Sequence, residues 1–387
     1  METVKTLVQR CRSEPRLLNL MSLFRQMVNL AIAIGLDKGG TSLKSLSLQS
    51  YSQLKDFHTP SSYRLCAISR AAGILKNYRN LSRKHKVRTP YCRRPGLTIC
   101  YGLKIRNRLL CLPGGFTIPL NHHTMEVLSE PGIRLRSVTL AVDTVAIAYS
   151  KQTPMVQCNG MMGIDRNLNN ITAADSLGNI LFQDLSRITM VKSASRQTIA
   201  RFKRDDSRIR RRIAGKYGRI EKNRTQWIFH NATKKLVSHA TRNHLGIVLE
   251  KITGIRRLYH RGNGQSRYYH ARLNSWSYYE LERQVVYKAS WNGLRVIHVN
   301  PKGTSGKCSV CGDQMVFSKE SRTLHCSTCG YAVDRDVNAA CNILSAALRF
   351  SLKGLSDEAM KGNPMTTVIS RVDDSQSSLV TEDSTEP

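Results

Sequence analysis

Residues 301–344 read PKGTSGKCSVCGDQMVFSKESRTLHCSTCGYAVDRDVNAACNIL and contain two Cys-x-x-Cys pairs. Cys308 and Cys311 form the first pair, Cys326 and Cys329 form the second, and fourteen residues separate the pairs. Four thiolates at this spacing can enclose a Zn²⁺ ion tetrahedrally, with each tight turn contributing two sulfurs. The sequence therefore predicts one structural zinc ion, and the alternative is two incidental cysteine pairs.

The chain is strongly basic. It has 387 residues, with 60 Lys and Arg against 27 Asp and Glu, which gives a formal net charge of +33. Because so much like charge repels itself, we expect a polyanionic partner, with nucleic acid ahead of an anionic membrane surface. No apolar run approaches the roughly 20 residues that cross a bilayer, so no membrane partner is expected.

Seven cysteines lie outside the two pairs, and they are scattered along the chain. They are Cys11, Cys66, Cys92, Cys100, Cys111, Cys158 and Cys341. An odd number of unpaired thiols is typical of a reducing compartment, so the sequence predicts a cytoplasmic protein.

Two long segments together hold 27 of the 60 Lys and Arg residues and only three acidic residues. Residues 57–125 contain thirteen Lys or Arg and no acidic residue, with four tyrosines interleaved, and residues 196–235 contain fourteen Lys or Arg against three acidic residues. A solvated surface is the simpler explanation for either segment alone. Their length and their single sign favour binding to a phosphate backbone, with tyrosine available for stacking on bases.

Hydrophobic periodicity predicts the elements that precede residue 301. A short strand is expected within residues 1–13, helices from Glu14 and over 61–82, and a small barrel or sheet from the short β-like runs between 91 and 150. Three strands in hairpin succession are expected from residue 160 onward. The basic segment 196–235 is expected to form a helical hairpin that Gly215 and Gly218 break.

Three acidic residues flank apolar segments in the second half of the chain. Asp165 follows Met-Met-Gly-Ile, Glu250 follows Gly-Ile-Val-Leu, and Asp336 precedes Val-Asn-Ala-Ala. A carboxylate at the end of a buried strand is unfavourable unless a cation lies beside it. Two Mg²⁺ ions about 3.5–4 Å apart would compensate three such groups and would support phosphodiester hydrolysis.

Each acid also has a purely structural explanation. Asp165 could form the turn before Asn167, Glu250 could pair with a cation at the strand end, and Asp336 or Asp334 could cap a helix N-terminus. The coincidence of all three acids in a basic chain with a cysteine cluster favours the metal-binding interpretation.

These motifs, in this order, resemble the TnpB family of transposon-encoded, RNA-guided nucleases of OrfB type, which is related to the compact type V CRISPR effectors. The resemblance rests on Gly-Ile-Asp-Arg-Asn at 163–167, Ile-Val-Leu-Glu at 247–250, the two Cys-x-x-Cys pairs, and Asp-Arg-Asp-Val-Asn-Ala-Ala at 334–340. It extends over residues 161–344, whereas residues 1–150 match the family only in their layout.

The resemblance implies an α/β fold with a RuvC-like nuclease domain of the RNase H class, into which a zinc ribbon is inserted. The implied domains are a wedge β-barrel (1–13 and 86–158), a helical recognition insertion (14–85), the RuvC-like domain (159–304 and 332–352) and the ribbon (305–331). Residues 353–387 are polar, and the last part is acidic, so we expect a disordered tail.

The resemblance also implies an Mg²⁺-dependent, RNA-guided DNA endonuclease with a transposon-derived guide RNA and double-stranded target DNA as partners. The family's three metal-binding acids correspond to Asp165, Glu250 and Asp336, with Asp336 preferred over Asp334 because it immediately precedes Val-Asn-Ala. A monomeric protein from a prokaryote, associated with the nucleoid, is expected. Two alternatives stay open: an RNA-guided DNA-binding repressor without cleavage, and a resolvase-like nuclease that uses no RNA.

Overall fold

Backbone structure is described for residues 2–12, 14–202, 207–253, 266, 276–317, 322–352 and 368–371 in a computed structural model of the protein. The chain divides into an N-terminal unit, made of residues 2–152 with 365–387, and a C-terminal unit, residues 153–364. Each unit contains an apolar core of its own.

Helices supply most of the core of the N-terminal unit. They are α1 (Pro15–Asp37), α2 (Leu43–Ser50), a short 3₁₀ turn (Gln53–Phe57) and α3 (Ser61–Ser82). Met21, Phe24 and Met27 of α1 are fully buried, and their spacing of three residues places them on one face of the helix. They share a core with α3, so the helices predicted from Glu14 and over 61–82 are confirmed.

The expectation that no apolar run approaches the length of a membrane span is wrong for helix α1, which is long and apolar enough to cross a membrane by length and composition alone. Half of its most apolar stretch is buried inside the N-terminal unit. Core helices of globular proteins also reach this length and apolar composition, and the burial of α1 is the arrangement of such a helix.

Two sheets complete the N-terminal unit. The first has the strand order β16-β1-β7-β6-β2 and the second has the order β3-β4-β5. Their strands are β1 (Glu2–Arg10), β2 (Leu97–Ile99), β3 (Lys104–Arg106), β4 (Leu109–Leu112), β5 (Phe116–Pro119), β6 (Ile133–Leu140), β7 (Thr144–Gln152) and β16 (Val368–Arg371), and α4 (His122–Leu128) follows β5. The β-rich character predicted for 91–150 is thus confirmed, while the wedge barrel stays a prediction.

Four residues of the predicted tail have a regular backbone. Strand β16 pairs in parallel with β1 in the register Lys5↔Val368 to Val8↔Arg371, so this part of 353–387 differs from the expected disorder. The other residues of that segment lie outside the described residues, and for them disorder stays a prediction.

The C-terminal unit is built on a five-stranded sheet with the order β10-β9-β8-β11-β12. The strands are β8 (Gly160–Arg166), β9 (Asn170–Asp175), β10 (Ile180–Asp184), β11 (Leu245–Glu250) and β12 (Val296–Val299). Strands β8, β9 and β10 form the predicted antiparallel succession. Strand β11 then pairs in parallel with both β8 and β12, which places the carboxyl ends of β8 and β11 at one edge of the sheet.

Helices cover both faces of this sheet. They are α5 (Ser186–Ala200), α6 (Ser207–Arg242), α7 (Tyr278–Trp291) and α8 (Arg335–Leu352). Met162 and Ile164 of β8 pack in the core formed with α6 and α7, whereas Met161 packs against α8. This alternation follows from the period of two along a strand, and because both faces are covered, β8, β9 and β11 are buried along nearly their full length.

Gly163 allows α8 to lie directly on β8. A Cβ atom at this position would come within 2.5 Å of the Ala340 carbonyl oxygen and 2.6 Å of the Leu344 amide nitrogen. Distances this short are excluded for real Cβ contacts, so any larger residue would push α8 away from the sheet. The position of α8 matters because this helix begins beside the acidic residues.

The predicted break at Gly215 and Gly218 is wrong, because α6 runs without interruption through both glycines. The chain between α5 and α6 covers residues 201–206, of which 203–206 lie outside the described residues. Glycine lowers helix stability by about 1 kcal/mol relative to alanine. That penalty is small compared with the packing of a 36-residue helix against α5, α7 and the sheet.

Candidate active site and metal-binding residues

Asp165 and Glu250 lie side by side at the carboxyl ends of two neighbouring strands. The parallel register of β8 and β11 pairs Ile164 with Leu249, and each acid is the next residue of its strand. Both acids are buried, with 9% of each residue exposed. The two parallel strands therefore place both carboxylates at the same edge of the sheet. The position of each acid after an apolar run in the sequence predicted a strand end at this point.

Asp336 approaches these acids from the first turn of α8. It is 3% exposed, and its Oδ2 accepts a hydrogen bond of 2.8 Å from Nδ2 of Asn170, the first residue of β9. Since β9 pairs with β8 in the register Asp165↔Thr172, this bond ties Asp336 to the edge of the sheet that carries Asp165.

Asp334 caps the N-terminus of α8. Its Oδ1 accepts hydrogen bonds from the backbone N–H groups of Asp336, at 2.8 Å, and Val337, at 3.3 Å. These are the bonds of a helix N-cap. Of the two acids in Asp-Arg-Asp, the first therefore caps α8 and the second turns toward Asp165 and Glu250.

The carboxylates of Glu250 and Asp336 lie near enough to Asp165 to act on its pKa. The pKa of Asp165 is raised to about 7, first by burial and then by the negative charges of Glu250 and Asp336. A hydrogen bond of 2.7 Å from Nδ2 of Asn167 and the charge of Arg335 oppose this rise. An acid in this environment holds its proton up to neutral pH unless a cation displaces it.

Asparagine and threonine side chains hold the site together. The hydroxyl of Thr304 donates a hydrogen bond to Oε1 of Glu250, and the Thr304 carbonyl accepts one of 2.8 Å from Asn342 of α8. Asn338, one turn earlier in α8, accepts a bond from the Ser309 amide and donates one to the Lys307 carbonyl. Sequence reasoning missed these residues, although the spacing of four between the two asparagines puts them on one helical face.

Arg322 brings a positive charge to the acids. Its Nη2 bonds to Oδ2 of Asp336, and its Nε lies 3.8 Å from Oδ2 of Asp334. The Arg322 side chain is 65% exposed, so the guanidinium touches a buried carboxylate from the solvent side. The sequence offered no signal for this contact.

The four cysteines form a compact cluster beside α8. The cluster belongs to a small sheet of β13 (Met315–Phe317), β14 (Thr323–Cys326) and β15 (Ala332–Asp334). The Sγ atoms of Cys308 and Cys329 are 3.7 Å apart, and those of Cys311 and Cys326 are 3.4 Å apart. Sulfurs at the corners of a tetrahedron with a Zn–S length of about 2.3 Å are roughly 3.8 Å apart, so the cluster fits structural zinc.

A glycine with positive φ follows each Cys-x-x-Cys pair. Gly312 has a φ of 87° and Gly330 a φ of 71°, and the amide of each donates to the carbonyl of the first cysteine of its pair. Only glycine adopts this conformation without strain, so these residues let each turn present two sulfurs to one point.

The cysteines and the acids differ in how tightly their ligand atoms converge. All four Sγ atoms lie within 4.8 Å of one another. In the part of the chain that the structure describes, no second group of three or more His, Cys, Asp or Glu residues meets this limit. The acidic cluster is therefore more open than the cysteine cluster.

The first half of α6 carries a concentrated positive charge. Between Ser207 and Arg224 there are eight Lys or Arg residues and one acid, Glu221, and none of these residues is buried. The helix buries side chains only from Thr225 onward, where it covers the sheet. Such a surface suits a polyanion.

A pH experiment follows from the raised pKa of Asp165. Because the folded-state pKa lies above the ordinary value, Asp165 takes up a proton in the folded protein as the pH falls from about 7 to 4, while the same carboxylate of the unfolded chain stays ionised. Stability should therefore rise over this window, and Asp165→Asn should remove the effect. The measurement is urea unfolding without added divalent ions. The difference in the free energy of unfolding between Asp165→Asn and the wild type should change by about 1.4 kcal/mol per pH unit within this window.

Asp175 provides a control of opposite sign. Burial alone would raise its pKa, but hydrogen bonds from His239, at 2.7 Å, and from the Asn179 and Leu177 amides outweigh burial and lower the pKa. Stability from this group is present above the ordinary Asp pKa of about 3.9 and is lost only in stronger acid. Asp175→Asn should therefore destabilise the protein at both pH 5 and pH 8, and identical pH profiles for the two variants would contradict this account.

Comparison with known proteins identifies relatives on both sequence and structure. Residues 278–343 match a family model described as Cas12f1-like, TNB domain. The chain is 30% identical over 227 residues to the TnpB-like protein MJ0751 of Methanocaldococcus jannaschii, which covers 57% of this chain and 80% of that protein. It is 39% identical over 70 residues to the putative RNA-guided DNA endonuclease InsQ of Escherichia coli, over 18% of this chain and 17% of that protein.

A solved structure shares the fold. A Cas12f1 chain in a cryo-EM complex with sgRNA and target DNA superposes with a TM-score of 0.56 at 13% identity, over 84% of this chain and 81% of that chain. The likeness at this identity concerns the α/β fold alone. Taken with the 30% identity that spans four fifths of the archaeal protein, it leads to one conclusion: the chain belongs to the TnpB-like proteins, which are related to the Cas12f-type effectors.

Proposed function

We propose that the protein is an RNA-guided DNA endonuclease that hydrolyses phosphodiester bonds with Mg²⁺ at Asp165, Glu250 and Asp336. The observation that carries the proposal is the convergence of three buried carboxylates from two strands and a helix, strong enough to raise the pKa of Asp165 to about 7. Three buried like charges at one edge of a sheet destabilise the fold unless they serve to bind a cation.

The topology of the C-terminal unit supports a RuvC-like domain of the RNase H class. Three antiparallel strands are extended by two parallel ones, and helices lie on both faces. The acids come from the ends of the two central strands and from the helix that crosses them. Residues 159–304 and 332–352 would form this domain, with the zinc ribbon at 305–331 inserted ahead of α8.

The donor set fits Mg²⁺. All three side chains offer carboxylate oxygens, which are hard ligands, and the side-chain oxygen Oδ1 of buried Asn170 has no hydrogen-bond partner among the described residues. When bound by these oxygens, Mg²⁺ would lower the pKa of a coordinated water and neutralise charge on the reacting phosphate. The openness of the acidic cluster suits ions that retain water ligands.

The surrounding residues have defined tasks in this proposal. Asn167 and Thr304 orient the carboxylates of Asp165 and Glu250 by hydrogen bonds, and Asn170 does the same for Asp336. Arg322 would exchange its contact with Asp336 for the charge of the phosphate that enters the site.

The partners of the protein are proposed from its charge and its relatives. A net charge of +33 favours binding to a polyanion. The structure of Cas12f1 that shares the fold contains an sgRNA and target DNA. A transposon-derived guide RNA and double-stranded DNA are the corresponding partners here. Residues 1–13 and 86–158 would form the wedge domain and 14–85 the recognition insertion, in a monomeric, cytoplasmic protein of a prokaryote.

Co-expression with the flanking transposon sequence tests the proposal. The RNA that co-purifies with the protein is sequenced, and duplex DNA matched to it is incubated with the complex in Mg²⁺, with a mismatched duplex as the control. We expect a discrete RNA and cleavage of the matched duplex only. Binding without cleavage would favour the repressor, and cleavage without any bound RNA would favour the resolvase-like nuclease.

A further inference from the structure

Arg166, the residue after Asp165, is a buried cation that the proposed chemistry does not use. Its side chain is fully buried, and it is the largest of the fully buried side chains in the described part of the chain. Taking a guanidinium out of water is unfavourable by several kcal/mol unless close hydrogen bonds replace the lost hydration. The hydrogen bonds of Arg166 must therefore compensate for its burial.

The guanidinium joins three elements at the acidic edge of the sheet. Its Nη2 donates a hydrogen bond to the main-chain carbonyl of Glu250, and its Nη1 donates to the Tyr278 carbonyl, at 3.3 Å, and to Oε2 of Glu282, at 2.7 Å. Strand β8 is thereby connected to the last residue of β11 and to the first two turns of α7. The planar fork of arginine fixes the directions of its donors, whereas the donors of a lysine ammonium rotate at the end of a flexible stem.

The carboxylate of Glu282 is itself fixed. Its Oε1 lies 2.9 Å from Nε2 of His298 in β12, the strand that pairs with β11 in the register Leu249↔His298. Arg166 therefore contacts a carboxylate that is held from the far side by the neighbouring strand, and its guanidinium has little freedom to move.

We infer that Arg166 is a positioning residue, which fixes the main chain at Glu250 so that the carboxylates of Asp165 and Glu250 converge on a divalent ion. The inference rests on the proposed function and assigns it one more residue. Arg166 touches neither the reacting atoms nor the carboxylate of Glu250; it acts through the carbonyl group of that residue. A hydrogen-bond partner of a ligating residue typically contributes about 10- to 100-fold to metal affinity or activity.

A purely structural ion pair is the competing explanation, and the two differ in a double variant. Replacing a buried ion pair by apolar side chains of similar size is often neutral for stability, whereas removing one partner is strongly destabilising. Arg166→Met and Glu282→Leu should each lower the melting temperature, and the combined variant should recover most of the loss. The combined variant still lacks the bond to the Glu250 carbonyl.

The test measures three quantities on the full-length protein: the melting temperature, the Mn²⁺ dissociation constant by electron paramagnetic resonance, and cleavage of matched DNA by the RNA complex. The matched control is Arg283→Met, which breaks the Arg283–Glu280 pair of α7, at 2.6 Å, away from the acids. We expect the combined variant to melt near the wild-type temperature, to bind Mn²⁺ about 10- to 100-fold more weakly, and to cleave more slowly.

Wild-type Mn²⁺ affinity and cleavage in the combined variant would overturn the inference. If that variant fails to fold, Arg166→Lys decides, because it retains the charge without the fork: weaker Mn²⁺ binding at an unchanged melting temperature supports the inference, and unchanged binding refutes it. Wild-type protein that binds Mn²⁺ but cuts no DNA would contradict the proposed function and leave the positioning role measurable.

Discussion

Asp336→Asn is expected to reduce DNA cleavage by about 1,000-fold or more, while Asp334→Ala leaves the cleavage rate within a few-fold of the wild-type value. Asp336 is buried beside Asp165 and is held there by Asn170. An amide cannot supply the negative charge that a metal-binding carboxylate provides, and several kcal/mol of transition-state stabilisation are lost with it. A single-turnover assay with saturating guide RNA measures the effect.

Asp334 is a closely matched control, because it lies only two residues away in the same turn. Its side chain accepts hydrogen bonds from the first amides of α8, and losing such a cap costs about 1 kcal/mol of stability. Asp334→Ala should therefore lower the melting temperature more than Asp336→Asn does. Loss of cleavage in the Asp334 variant alone would show that the roles of the two acids are reversed.

Removal of one zinc ligand is expected to unfold the whole ribbon. The buried apolar cluster of the ribbon consists of Cys308, Met315, Leu324 and Cys326, and two of these are themselves proposed zinc ligands. Such a core cannot offset the entropy of ordering the segment, and zinc binding contributes about 10–16 kcal/mol in comparable peptides. Cys326→Ser should reduce the zinc content from one per chain to nearly none and expose residues 301–334 to protease.

The loss should extend to the acids, since the ribbon supplies Arg322 and leads directly into α8. Mass spectrometry for zinc and limited proteolysis measure the two effects. Cys100→Ser is the control, because Cys100 is exposed and lies in the N-terminal unit. Full zinc content in the Cys326 variant, or equal loss in the Cys100 variant, would refute the assignment of the ligands.

Strongly periodic segments were predictable from the sequence. Helix α3 has the predicted bounds, Ser61–Ser82, and the three antiparallel strands β8, β9 and β10 follow the predicted order. Helix α3 buries one face at helical spacing, whereas β8 and β9 are short apolar runs that are buried on both faces. The sequence also predicted that Asp165 and Glu250 lie at strand ends, because each is the polar residue that follows an apolar run.

Other features depend on contacts that no local pattern records. Asn170 and Asp336 are 166 residues apart in the chain, and Arg166 and Glu250 are 84 apart. The contact of Arg166 with Glu250 follows from the register of β8 and β11, and that of Asn170 with Asp336 follows from the packing of α8 on the sheet. The glycines of α6 misled the prediction because each lowers the stability of a helix by only about 1 kcal/mol, which does not break a helix of 36 residues.

Anomalous diffraction from crystals grown with Mn²⁺ tests the central claim most directly. The three acids are proposed to hold divalent ions, and Mn²⁺ is a close substitute for Mg²⁺ among oxygen ligands. We predict a manganese peak bounded by the carboxylates of Asp165, Glu250 and Asp336, and its loss in crystals of Asp165→Asn. Crystals that bind Mn²⁺ elsewhere, with no peak between these three side chains, would contradict the account.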